Sequence, residues 1–160
     1  VMSLDIPNFK QIDGSSYRFA IVAARYNEAL VDALACEACA TLEAAGAPTP
    51  QVERVPGSGE LPFAASLLAE SGEFDAIIVI GMVIAGDTNH HNVIGDSTAI
   101  TLQNLSIRTG LPIVNGIVVV DTYQQAEARA GTTINRGKEF AETALAMAAY
   151  TQKWKTKNNL

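Results

Sequence analysis

The chain contains only two histidines, His90 and His91, and they are adjacent. An imidazole is the natural proton shuttle near neutral pH. Immediately before them, Gly86-Asp87-Thr88 opens what reads as a helix. Backbone N–H groups at a helix start can hold an anion such as phosphate. The structural alternative for both features is a helix opening with small and polar residues. Cys36 and Cys39 form a C-x-x-C pair, a spacing used for metal binding or thiol redox chemistry. Here the pair sits in an alanine-rich helical stretch, with no second pair and no neighbouring histidine to complete a zinc site. The cysteines read as small apolar filler. Adjacent histidines on one helix point in different directions, so they do not make a metal pair either. The P-loop, dinucleotide and nucleophile-elbow fingerprints are all absent.

These residues need a frame. Arg18–Ala24 (RFAIVAA) is a nearly continuous apolar run, as a buried parallel strand requires. From Asn27 the period changes: Leu30, Leu34, Ala38 and Leu42 mark one helical face, closed by Gly46 and Pro48. Gln51–Val55 reads as a second strand, Pro56-Gly57-Ser58-Gly59 as a turn, and Glu60–Glu70 as a helix with Pro62 in its first turn. Asp75–Ile80 is a third strand, followed from Gly81 to His91 by a loop and then by a helix to about Arg108. Ile113–Val120 is the fourth strand. Thr122 and Gln125 form a capping box opening a short helix, and Phe140, Ala141, Ala144, Leu145 and Ala148 mark a final one. Strands alternating with helices predict an α/β fold, a three-layer flavodoxin-like sandwich with a four-stranded parallel sheet and helices on both faces. Residues 1–16, with Pro7 and an Asp13-Gly14 turn signal, read as an N-terminal arm, and 17–160 as a single domain. In such sheets ligands bind beyond the carboxyl ends of the strands. The loops expected there carry Tyr26-Asn27, Pro56 to Glu60, Gly81 to His91, and the stretch from Asn115 to Asp121.

The bulk numbers exclude other classes. The 160 residues are 48 % hydrophobic and 18 % charged, enough for one real core. A net charge of −6 gives no basic footprint for nucleic acid, and an anionic ligand needs locally placed cations. The longest apolar runs are strand-sized, so no membrane span is expected. The N-terminus lacks a basic stretch followed by an apolar core, and the cysteines look unpaired; both point to the cytoplasm.

Segments occurring in order at fitting spacing carry a resemblance. They are Arg25-Tyr26-Asn27-Glu28, then Val55-Pro56-Gly57-Ser58-Gly59-Glu60-Leu61-Pro62, then Gly81 to His90, then Glu127-Ala128-Arg129-Ala130-Gly131. Over about Arg18 to Tyr150 the chain resembles the lumazine synthase family. The resemblance implies a transferase of riboflavin biosynthesis. It condenses 5-amino-6-(D-ribitylamino)uracil with 3,4-dihydroxy-2-butanone 4-phosphate to 6,7-dimethyl-8-ribityllumazine, with loss of phosphate and water. It implies no cofactor and no metal.

By the same resemblance, His90 assists proton transfer during imine formation and phosphate elimination. Tyr26 stacks on the pyrimidine ring, with Asn27 beside it in the motif. Ser58, Gly59 and Glu60 bind the ribityl chain, and Met82, Val83 and Ile84 lie against the heterocycle, as does Asn115. Gly86, Asp87 and Thr88 form the phosphate loop, and Arg129 is the phosphate-binding arginine, supplied by a neighbouring subunit. The family assembles as homopentamers, in some members twelve of them in an icosahedral shell of sixty subunits, and riboflavin synthase is a possible partner.

Four positions depart from the family pattern. Ala85 stands where a basic residue is usual, and Asp87 adds a negative charge to the phosphate loop, which opposes anion binding. Asn92 stands where an acidic residue often follows the histidine, and a neutral partner raises an imidazole pKa less. Asn115 replaces a bulky apolar residue. These departures keep two other readings open: a non-catalytic relative that binds a flavin or pteridine, and a structural shell subunit.

Overall fold

The computed structural model describes Asp5 and residues 7–158. Most of the first residues of the expected arm lie outside the described residues. From Pro7 to Ser16 the chain forms no helix or strand, but it is tied down at its end. The Gly14 N–H donates to the Ala45 carbonyl at 2.7 Å, and the Tyr17 hydroxyl donates to Gln152 at 2.7 Å.

The apolar run Phe19–Ala24 forms β1, and every residue in it is buried. Alternation sends Phe19, Ile21 and Ala23 into one core cluster and Ala20, Val22 and Ala24 into the other, so β1 is covered on both faces. The remaining elements are α1 (Glu28–Ala44), β2 (Gln51–Val55), α2 (Leu61–Glu70), β3 (Ala76–Ile84), α3 (His90–Thr109), β4 (Ile113–Val120), α4 (Tyr123–Ala130) and α5 (Arg136–Asn158). A single 3₁₀ turn, Ser58–Glu60, precedes α2. All strands are parallel, in the order β2-β1-β3-β4. Helices α1, α4 and α5 supply the first core, and α2 and α3 the second. This is the expected three-layer flavodoxin-like sandwich.

Local chemistry explains the junctions. The capping box forms: the Gln125 N–H donates to Thr122 Oγ1 at 3.1 Å, while Gln125 Oε1 accepts from the N–H groups of Asp121 and Thr122. Helices α1 and α5 approach closely at Gly137, where a Cβ would lie 2.4 Å from the Leu34 carbonyl oxygen. Beside it, Arg136 and Glu139 form a buried ion pair.

One boundary that bears on the site differs from expectation. Strand β3 does not stop at Ile80; it runs through Gly81 to Ile84, because Gly81–Ile84 pair with Ile117–Val120 of β4. A strand at the sheet edge thus carries its neighbour past the end of β1, from Met82 to Ile84. Strand β4 covers Ile113–Val120 as expected, with Asn115 inside it, paired with Val79 and short of the loops at the carboxyl ends. Among the described residues, no helix is long and apolar enough to cross a membrane.

Candidate functional site

The strand order reverses direction between β1 and β3, and the crevice outside their carboxyl ends is where an open α/β sheet binds its ligand. Three segments line it: Tyr26-Asn27 after β1, Gly57–Glu60 after β2, and Met82–Ile84 at the overhanging end of β3. Alternation along β3 is fixed by its neighbours. The N–H groups of Ile77 and Ala85 donate toward β4, to Pro112 and Val120. Met82 and Ile84 therefore turn their backbone groups the other way, toward the side that β1 has left. That is the geometry for hydrogen-bonding a flat heterocycle by main-chain groups.

The turn after β2 is packed tightly onto this edge. Ser58 is buried, and its Oγ would lie 2.3 Å from a Cβ at Gly81, so only glycine at 81 lets the hydroxyl reach this depth. A Cβ at Gly57 would meet Glu60 Oε2 at 3.1 Å and the Tyr26 ring at 3.2 Å. Glu60 Oε2 accepts from the Gly57 N–H at 2.9 Å, which fixes the turn. Tyr26 lies with its ring edge against Gly57 and is 72 % exposed, an open aromatic surface at the mouth of the crevice. The Asn27 side chain donates to the Met82 carbonyl at 2.8 Å.

His90 begins α3 and is exposed. One turn later Ile94 lies 3.8 Å from where a Gly59 Cβ would stand, so this stripe of α3 faces the 58–60 turn and His90 sits at its crevice end. The loop 85–89 before it has no regular structure, and Gly86, Asp87 and Thr88 are exposed. Thr88 Oγ1 accepts from the His90 N–H at 3.3 Å, and the Asn92 amide donates to Asn89 Oδ1 at 2.6 Å. Asn92 thus bonds within its own loop and turn. His91 is half-buried with Nδ1 unpartnered.

Two expected site residues are not brought to His90 by a single chain. Arg129 lies in the last turn of α4, half-buried, its Nη1 donating to the Gln125 carbonyl at 3.1 Å. Helix α4 packs with α1 and α5, across the sheet from α3. Asn115 lies on the edge strand, and its Oδ1 accepts from the Ile117 N–H of the same strand at 3.0 Å. A groove of about 670 Å³ lies between residues 7–12 and helices α1 and α5, and contains none of the crevice residues. A second, about 500 Å³, runs from Gly59 down between α2 and α3 to Arg108.

Sequence reasoning missed Gly57 and Gly81 as packing residues. It treated the first as a turn residue and the second as a strand terminator. The available signal was the pair of glycines flanking Ser58 and the apolar continuation Met82-Val83-Ile84 after Gly81. Among the described residues there is no group of three metal-ligating side chains. Cys36 is exposed, whereas Cys39 packs partly against the core as filler does. Burial pushes the Cys39 thiol pKa up, with Glu43 and Cys36 adding to it.

The comparisons with known proteins agree with this geometry. The family description 6,7-dimethyl-8-ribityllumazine synthase matches residues 16–152. Relatives with that name include one from Xylella fastidiosa strain M12, 40 % identical over 139 residues, covering 85 % of this chain and 90 % of the relative. One from Gloeobacter violaceus is 42 % identical over 147 residues, covering 88 % and 82 %. One from Thermococcus gammatolerans is 37 % identical over 135 residues, covering 84 % and 88 %. With the family pattern matched from before β1 into α5, the chain belongs to the 6,7-dimethyl-8-ribityllumazine synthase family.

Proposed function

We propose that the chain is a working lumazine synthase that condenses 5-amino-6-(D-ribitylamino)uracil with 3,4-dihydroxy-2-butanone 4-phosphate in riboflavin biosynthesis. The observation that carries the reading is the meeting of an open aromatic ring, a strand edge with outward main-chain groups and a histidine at one crevice. Tyr26 stacks on the pyrimidine. The backbone groups of Met82 and Ile84 read its edge, and Val83 between them lies against the heterocycle without a main-chain bond to it. Ser58, Gly59 and Glu60 take the ribityl hydroxyls, for which a buried hydroxyl and a carboxylate are suitable partners. Asn27 borders the same ring.

The 5-amino nitrogen attacks the ketone carbonyl and water leaves to give an imine; phosphate is then eliminated, and the ribitylamino nitrogen closes the ring on the remaining carbonyl carbon with loss of a second water. Each step moves a proton at nitrogen, oxygen or carbon, and His90 is the group beside the crevice able to give and take it. Much of the remaining acceleration comes from holding two substrates side by side. The leaving phosphate is received by Gly86, Asp87, Thr88 and the first turn of α3, where backbone N–H groups are presented. Arg129 completes that charge from a neighbouring subunit, which accounts for its place across the sheet from α3. Asn115, on the exposed edge of β4, reaches a neighbour's crevice in the same way.

The assembly we propose is a homopentamer, with residues 1–16 as an arm on the domain 17–160. Phe63, Leu67, Ile100 and Ile107, on α2 and α3, are 54–81 % exposed and provide apolar surface for such contacts. Its place is the cytoplasm, where riboflavin synthase would consume the product.

The test is turnover. Purified protein is mixed with both substrates and the fluorescent lumazine is followed above the uncatalysed background. Wild type should show a clear rate and His90→Ala a rate lower by about 10²-fold or more. Absence of turnover in correctly assembled wild-type protein would sink the reading. Asp87 in the phosphate loop and Ala85 before it favour one alternative, a relative that binds a flavin or pteridine without turnover. Riboflavin titration of inactive protein would reveal it. A shell subunit without chemistry would show neither.

A further inference from the structure

Resting on the reading of this crevice, we infer that Asn27 is a positioning residue: its side chain continues the β-ladder past the end of β1 and so holds the Tyr26 ring in place. Strand β1 ends at Ala24, level with Val55 of β2, while β3 runs on to Ile84. By the alternation fixed at Ile77 and Ala85, the Met82 carbonyl points toward the departed β1. The next rung would need an N–H from a longer β1. The chain has already turned away, and the Asn27 Nδ2–H supplies the donor instead, at 2.8 Å.

Asn27 can do this because of its backbone. It adopts φ 58 and ψ 47, the left-handed region that among non-glycine residues asparagine and aspartate enter most readily. In that conformation its own carbonyl starts α1, accepting from the N–H groups of Leu30 and Val31 at 3.0 Å. Its side chain is free to turn back onto the sheet.

The Tyr26 ring is therefore held from two sides of the switch point. On the β2 side, the Tyr26 N–H donates to the Pro56 carbonyl at 3.2 Å and the ring rests on Gly57. On the β3 side, the hold is the Asn27–Met82 bond. Tyr26 is 72 % exposed, so few side-chain contacts place its ring, and these anchors fix the Cα from which the ring projects onto Gly57. The same bond fixes the Met82 carbonyl, and with it the edge that faces the ring. An untied Asn27 leaves the stacking surface and the reading edge free to drift apart.

Two substitutions separate this from simple backbone strain. Asn27→Gly keeps the left-handed conformation without a steric penalty and removes only the amide. Asn27→Asp keeps the size and tolerates the conformation, but sets a carboxylate against the Met82 carbonyl. Both should raise the KM for the ribitylaminouracil about tenfold, the worth of one hydrogen bond. The KM for the butanone phosphate should stay within about twofold, since a loss of one anchor at the pyrimidine end leaves the phosphate loop unchanged.

A second readout does not depend on turnover. The four tyrosines are labelled as 3-fluorotyrosine, and the Tyr26 fluorine signal is assigned by its loss in Tyr26→Phe. In Asn27→Gly that signal should shift toward the position of a free residue while the other three hold still. An unmoved Tyr26 signal would overturn the inference, as would equal changes in both KM values or none. If wild type proves inactive, the proposed function falls, and the fluorine spectrum alone decides whether Asn27 positions Tyr26.

Discussion

Ser58 is buried because Gly81 has no Cβ, and Gly57 is bare because the Glu60 carboxylate and the Tyr26 ring occupy the space beside it. Such packing explains why the P-G-S-G turn could be located in the sequence but not understood there: a glycine shows that space is needed, and only the fold shows what fills it. Arg129 bears the clearest prediction at this scale. Arg129→Ala should raise the KM for the phosphorylated butanone about tenfold or more, since a charged partner of phosphate is lost. The KM for the pyrimidine should change little. Steady-state kinetics with each substrate varied in turn would check this, and an equal effect on both would remove Arg129 from the phosphate site.

Among the elements, β3 decides the site. The apolar run DAIIVI ends at a glycine, and Gly81 read as the end of the strand. Pairing with β4 carries β3 on to Ile84. Residues 82–84 thereby pass from an expected loop to a rigid edge, which suits the role proposed for them against a heterocycle. The helices follow their periodicity closely, with α1, α2 and α3 each starting within about a residue or two of the expected place, the usual scatter of helix ends. The α1–α5 contact was not legible, because nothing in a sequence shows that Gly137 faces Leu34. Gly137→Ala should destabilise the fold by about 1–3 kcal/mol through overpacking against that carbonyl. A thermal melt should show a transition lower by several degrees. An unchanged Tm would mean that the two helices separate without strain.

At the scale of the whole molecule, the residues of the proposed site are divided between the two faces of the sheet. His90 and the 58–60 turn lie with α2 and α3, whereas Arg129 lies with α4 across the sheet. The proposed pentamer of 16.9 kDa chains has a mass of about 85 kDa, and a sixty-subunit shell about 1 MDa. Mass photometry of purified protein should give one of these. A monomer with full activity would exclude a site shared between subunits. The order of strands and helices and the parallel sheet were determined by the sequence itself. Apolar runs, periodicity and capping residues act locally, and each is written within a few residues. Only the tertiary structure decided how far β3 extends, which side of the sheet Arg129 occupies, and that Asn27 bonds to Met82. Those depend on strand register and on contacts between residues tens of positions apart, which no local pattern encodes.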